Sequence, residues 1–136
     1  MSGAPALVVF ACTHNAGRSV MAEAFFNALA DPARARAASA GTAPGPRVNP
    51  VVAEVMNELG VDVSKHAPRL LTEEVARQAT LLVTMGCGEA CPYVPGLEVV
   101  DWELPDPSGR PLEEVRTIRD QVRARVEELV AQRGWR

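Results

Sequence analysis

The chain has 136 residues, 47% of them apolar and 23% charged, with a formal net charge of −3. Such a length and composition predict one globular domain over residues 1–136, and the mildly acidic balance argues against a nucleic-acid or membrane-surface partner. The first eleven residues carry no basic stretch, and their apolar run is too short to cross a bilayer, so neither a signal peptide nor a membrane span is expected. Three cysteines in such a chain point to catalytic or redox thiols in the cytoplasm, not to a disulfide framework.

Residues 7–11 form a continuous apolar run that predicts a buried parallel strand. Residues 20–29 are good helix formers with an apolar stripe. Between them lies Cys12-Thr13-His14-Asn15-Ala16-Gly17-Arg18-Ser19. A strand, a tight polar loop and a helix N-terminus make an anion cradle, because loop N–H groups point inward and the helix dipole favours negative charge. Thr13, His14, Asn15, Ala16 and Gly17 supply the loop, Cys12 opens it and Arg18 closes it. Positive surroundings of this kind favour a thiolate, the nucleophilic form of cysteine. The Arg18 guanidinium is a rigid fork that matches two oxygens of a tetrahedral oxyanion. The Ser19 hydroxyl can donate to the Cys12 sulfur, which helps it both as nucleophile and as leaving group. Asn15 suits a left-handed backbone position, and Gly17 tolerates positive φ. His14 could touch substrate, although a loop histidine bonded to backbone is the commoner case. The expected act is attack by Cys12 on the central atom of a bound oxyanion. A cysteine that merely fills a βα turn is the plainer alternative.

Asp31-Pro32 ends the first helix. Residues 34–40 predict a second strand, weakly, since alanine and arginine have little β propensity. A Gly- and Pro-rich loop follows, and Arg47 lies where it could reach the cradle mouth or stay solvated. Asn49 and Pro50 start the next helix as N-cap and first residue. Val51, Val52, Val55, Met56 and Leu59 form its stripe, and Gly60 closes it. Residues 61–69 connect to a short helix with Thr72 as N-cap and Glu73 and Glu74 in its first turn. His66 has no other ligand type near it in sequence, so no metal is expected there. Residues 80–85 and 97–100 predict two more strands. The terminal helix spans 111–132, with Leu112, Val115, Ile118, Val122, Val126, Leu129 and Val130 as its stripe and charged residues on the other face. The expected class is α/β, with about four parallel strands and helices on both faces.

Two further stretches carry chemistry. The first is Gly86-Cys87-Gly88-Glu89-Ala90-Cys91-Pro92, after the third strand. Functional groups in open α/β sheets gather at the carboxyl ends of strands, so Cys12 and Cys87 are expected to face one crevice. Cys87 and Cys91 stand one helical turn apart and could form a disulfide on demand, with Gly86 and Gly88 letting the segment move. A redox relay with Cys12 fits best. A metal half-site lacks a second ligand pair, and two inert buried thiols are the plain reading. The second stretch is the loop of residues 101–109, where Asp101 or Asp106 could protonate an oxygen leaving the tetrahedral centre. Asp106-Pro107-Ser108-Gly109 is also ordinary turn chemistry.

The Cys-x5-Arg-Ser loop resembles that of the low-molecular-weight protein tyrosine phosphatase superfamily, and residues 13–17 are more similar to its arsenate reductase branch. Ser39-Ala40-Gly41-Thr42 resembles the family's strand-to-loop signature, and Asp106-Pro107 resembles its general-acid motif. Residues 84–92 are similar to those of thioredoxin-coupled, three-cysteine arsenate reductases. The resemblance runs from about residue 7 to residue 130. It implies strand order 2-1-3-4, Asp106 over Asp101 as the acid, and arsenate as substrate in arsenic detoxification. It further implies a Cys12–Cys87–Cys91 disulfide relay, no bound cofactor, phosphate as competitor, and thioredoxin or an equivalent thiol system as external reductant. Ser108-Gly109 departs from the phosphatase branch, which has aromatics there to grip a tyrosyl group; that departure favours a small inorganic oxyanion. Some thioredoxin-coupled members bind potassium near the 61–69 connector. Ala67-Pro68-Arg69 stands there instead, so Arg69 or another basic residue is expected to take the ion's part. Phosphate-monoester hydrolysis and non-enzymatic oxyanion binding are the alternative functions.

Overall fold

The structure, a computed structural model, describes residues 4–86 and 94–136. In chain order the elements are β1 (Ala6–Cys12), α1 (Arg18–Leu29), β2 (Ala35–Gly41), α2 (Pro50–Asn57), α3 (Glu73–Arg77), β3 (Leu81–Thr84), β4 (Glu98–Asp101) and α4 (Leu112–Arg133). The sheet order is β2-β1-β3-β4, and every pairing is parallel. This is the expected class and strand order.

β1 is central because it is apolar on both faces. Val8, Phe10 and Cys12 point into a large core built with α1, α2 and α4, while Val9 and Ala11 point into a smaller one against Leu71 and Ala76. Phe10 and Phe26 meet edge to face at 5.9 Å, and Trp102 packs on Phe10 at 5.7 Å. Each such fully buried side chain contributes about 1.5–3 kcal/mol. The alanine-rich β2 forms against its own propensity. It pairs with β1 over seven residues, from Ala6↔Ala35 to Cys12↔Gly41, and its small side chains let α1 pack closely.

The predicted caps hold. The Asn49 side chain accepts from the Val51 N–H at 2.9 Å with Pro50 beside it, and the Thr72 hydroxyl accepts from the Val75 N–H at 3.1 Å. Two expectations fail. Leu59 lies beyond the end of α2 and is 40% exposed, so it adds nothing to the apolar stripe. Arg119 is not on the solvated face of α4. It is 8% exposed and donates to the Val55 carbonyl and to Glu58, closing the C-terminal end of α2.

From β1 the chain goes out to β2 on one side and then crosses back to β3 on the other. The crevice at that switch point, at the carboxyl ends of the strands, is where ligands sit in open α/β sheets. Cys12 ends β1 there, and Gly86 follows β3.

Candidate active site

Cys12 is 2% exposed, is a free thiol, and lies at one end of a cavity of about 270 Å³. His14, Ala16, Gly17, Arg18, Asp106 and Pro107 also line it. The cavity therefore holds a nucleophile, a guanidinium, a loop before a helix N-terminus and a carboxyl group together.

The loop is held by one asparagine. Asn15 takes φ of 50°, the left-handed region, and is completely buried. Its Oδ1 accepts from the Arg69 backbone N–H at 3.0 Å, which fixes the amide orientation, because that N–H can only donate. The His66 Nε2, also 3.0 Å from Oδ1, must then be a donor. Nδ2 spends its two hydrogens on the Ser19 hydroxyl at 2.9 Å and the Ser39 hydroxyl at 3.0 Å. Ser39 donates its own hydrogen to Glu23. Ser19 Oγ stands 2.9 Å from the Cys12 sulfur, and once Cys12 is a thiolate only the Ser19 hydroxyl has a hydrogen to give, so the bond then runs from Ser19 to Sγ.

Arg18 is 7% exposed and opens α1. Its Nη1 donates to the Leu104 carbonyl at 3.0 Å, and its Nη2 lies 3.8 Å from Asp106 Oδ2. Gly86, at φ +89°, lets the backbone pass against this guanidinium: a Cβ there would stand 2.6 Å from Nη1. Gly17 does not use positive φ as expected. Its φ is −143°, and glycine is needed for space, since a Cβ would come 2.7 Å from Pro107 Cγ. The Asp106-Pro107 segment is thereby seated on the cradle.

Asp106 belongs to the cavity and Asp101 does not. Asp101 lies on β4 and accepts from the Thr84 hydroxyl at 2.6 Å. The turn reading of Asp106 also holds, because its Oδ1 accepts from the Ser108 N–H at 2.9 Å; its Oδ2 is the atom turned toward Arg18. His14 is exposed on the cavity wall, and its ring makes no hydrogen bond to backbone among the described residues. Cys87 and Cys91 lie outside the described residues, as does the expectation that Cys87 shares the crevice with Cys12. Among the described residues no group of three or more His, Cys, Asp or Glu could hold a metal, and no helix is long and apolar enough to cross a membrane.

Glu23, His66 and Ser39 were not singled out as site residues from the sequence. Ser39 fell within a noted motif, but nothing local marks His66, 51 residues from the asparagine it meets.

A thiol, an arginine-closed loop and an overhanging aspartate thus meet on a four-stranded parallel sheet. The chain belongs to the low molecular weight phosphotyrosine protein phosphatase family, which it matches over residues 7–133. Within that family it is similar to a Halobacterium salinarum protein provisionally named arsenate reductase, 37% identical over 128 residues and covering 88% of this chain and 87% of the relative. It is also similar in structure to the Corynebacterium glutamicum thioredoxin-dependent arsenate reductase, with 35% identity and a TM-score of 0.83. That match covers 97% of this chain but 63% of the longer one. A low molecular weight protein tyrosine phosphatase from T. tengcongensis superposes with a TM-score of 0.81 at 28% identity, over 93% of this chain and 99% of its own.

Proposed function

We propose that this protein reduces arsenate to arsenite, in the manner of its thioredoxin-dependent relative, with residues 1–136 acting as one unit. The observation that carries the reading is the hydrogen-bond chain from Asn15 through Ser19 to Cys12 Sγ, in a cavity shared with Arg18 and Asp106. Loop N–H groups and the Arg18 fork hold the oxyanion. The Cys12 thiolate attacks arsenic(V), forming an S–As bond. An As–O bond breaks, and protonated Asp106 gives its proton to the departing oxygen, which leaves as water. Cys87 then attacks Cys12 Sγ. The new S–S bond displaces arsenic, which keeps the S–As electron pair and departs as arsenic(III) in arsenite. Cys91 attacks Cys87, freeing Cys12 and leaving a Cys87–Cys91 disulfide for an external dithiol of the thioredoxin class to reduce. The Ser19 hydroxyl serves twice, steadying the Cys12 thiolate before attack and after release.

Phosphate has the same shape and charge, so it competes for the cradle and allows weak ester hydrolysis. The phosphatase reading has the family match behind it, but Ser108-Gly109 offers no aromatic side chain to a tyrosyl group.

The test is arsenate-dependent NADPH oxidation, coupled through thioredoxin and its reductase, with wild type and Cys87→Ser compared. Turnover in the wild type that vanishes in the variant is expected. A p-nitrophenol burst that survives loss of Cys87 and Cys91, with no arsenate turnover under thioredoxin or other thiol donors, would leave a phosphatase. Tight oxyanion binding without turnover of either kind would leave a binding module.

A further inference from the structure

Arg47 and His14 line the same cavity as Cys12, Arg18 and Asp106, and neither side chain has a part in the steps proposed for Cys12. Residues 42–49 are laced onto the nucleophile loop by four backbone hydrogen bonds. The Thr42 N–H donates to the Cys12 carbonyl at 3.2 Å, Ala43 to Thr13 at 2.8 Å, Gly45 to His14 at 2.9 Å and Asn49 to Ala16 at 2.9 Å. Arg47 therefore rides on a segment whose position is tied to the cradle, and the buried Val48 anchors it from the next position.

Among the described residues Arg47 has neither a carboxylate nor a carbonyl partner, as is also true of Arg36, Arg125 and Arg136, but of these four it is the one that lines the Cys12 cavity. The cavity is also larger than one bound oxyanion requires. At about 270 Å³ it has room for several waters at ~30 Å³ each. Asp106 lines the same cavity, and whenever its carboxyl is without the proton it needs as general acid it repels an incoming dianion.

We propose that Arg47, with His14 beside it, forms an outer anion position at the cavity mouth that captures a tetrahedral oxyanion before it moves into the Cys12–Arg18 cradle. The proposal rests on the oxyanion chemistry proposed above and adds a residue that sets substrate capture. Arg47 offsets the negative charge of Asp106 and draws the dianion into the cavity. Its contribution is electrostatic and set at the mouth, so it acts on capture and not on the chemical step.

Inorganic phosphate binding to the full chain, measured by calorimetry, tests this without turnover. Arg47→Gln is expected to weaken phosphate binding about fivefold at ~0.01 M salt, and Arg47→Glu about 25-fold. Arg47→Lys should stay within about twofold of wild type. The differences should collapse at ~1 M salt, where screening acts within about 3 Å. In arsenate turnover KM should rise by the same factors while kcat moves less than about twofold. Matched melting temperatures check that the fold is intact. Phosphate affinity of Arg47→Glu within about twofold of wild type at low salt would overturn the proposal, as would a loss that persists at high salt. The salt-sensitive loss of phosphate binding in a protein that never reduces arsenate would keep the outer position and discard the reductase reading.

Discussion

Two polar clusters organise this molecule, and they are built on opposite plans. One centres on Asn15, a neutral amide with no exposed surface, which spends both donors and its oxygen on Ser19, Ser39, Arg69 and His66. The other centres on Glu58, a partly exposed carboxylate just past α2, which takes Arg116 through both oxygens and Arg119 at 2.9 Å. Each ties distant parts of the chain together. The buried cluster cannot lose its centre cheaply, because Asn15, Ser19 and Ser39 are shut off from water. The exposed one can, because water and salt replace what is lost. A directional chain to a sulfur needs the first plan, and bracing one helix against another can use the second.

Asn15→Ala removes the centre of the buried cluster. It strands two hydroxyls, a backbone N–H and the His66 ring, and it places a Cβ-bearing residue without a compensating side chain at positive φ. A stability loss of about 2–4 kcal/mol is expected in denaturant titration, with arsenate turnover down more than about tenfold. Asn15→Gly relieves the backbone but not the hydrogen bonds. It should recover part of the stability and none of the rate; full recovery of rate would mean that loop shape, not the chain to Sγ, is what matters.

A smaller effect, confined to stability, is expected for Glu58→Gln. The hydrogen bond from Arg116, then that from Arg119 and both positive charges, hold the Glu58 carboxyl below the ordinary glutamate range despite its partial burial. A carboxyl lowered in the folded state contributes stability that is present above its unfolded value and lost as pH falls through the lowered one. The melting-temperature gap between wild type and Glu58→Gln should therefore be widest near neutral pH and shrink as pH drops below about 4, while turnover at pH 7 stays within about twofold. A gap that grew on acidification would contradict the assignment.

The smallest expected effect is that of potassium. The Arg69 Nε donates to the Ser39 carbonyl at 3.0 Å while its backbone N–H holds Asn15, so a guanidinium stands in the buried cluster's outer ring. Replacing sodium by potassium at equal ionic strength should leave both melting temperature and turnover unchanged. A clear rise in either would show that the cluster still needs an ion.

Much of this was open to reading from the chain itself. The nucleophile loop, the Asn49 and Thr72 caps, the four strands and the long final helix follow from residue chemistry acting over a few positions, where periodicity and capping operate. Even the left-handed Asn15 was legible, since few side chains tolerate that backbone. Leu59 misled because a stripe drawn by spacing does not say where the helix ends. Arg119 misled because a charged residue on a surface helix is ordinarily solvated, and only the fold sets the Val55 carbonyl and Glu58 opposite it to satisfy it once buried.

The residues of the loop could be picked out locally, because Cys12, Arg18 and Ser19 lie within eight residues of one another. Which distant groups join them follows from the fold alone. Ser39, His66 and Arg69 reach Asn15 across 24, 51 and 54 residues, and Asp106 meets Arg18 in the cavity while Asp101 turns to Thr84. Such contacts depend on how strands and loops come together in the fold, and no local rule of spacing carries that information.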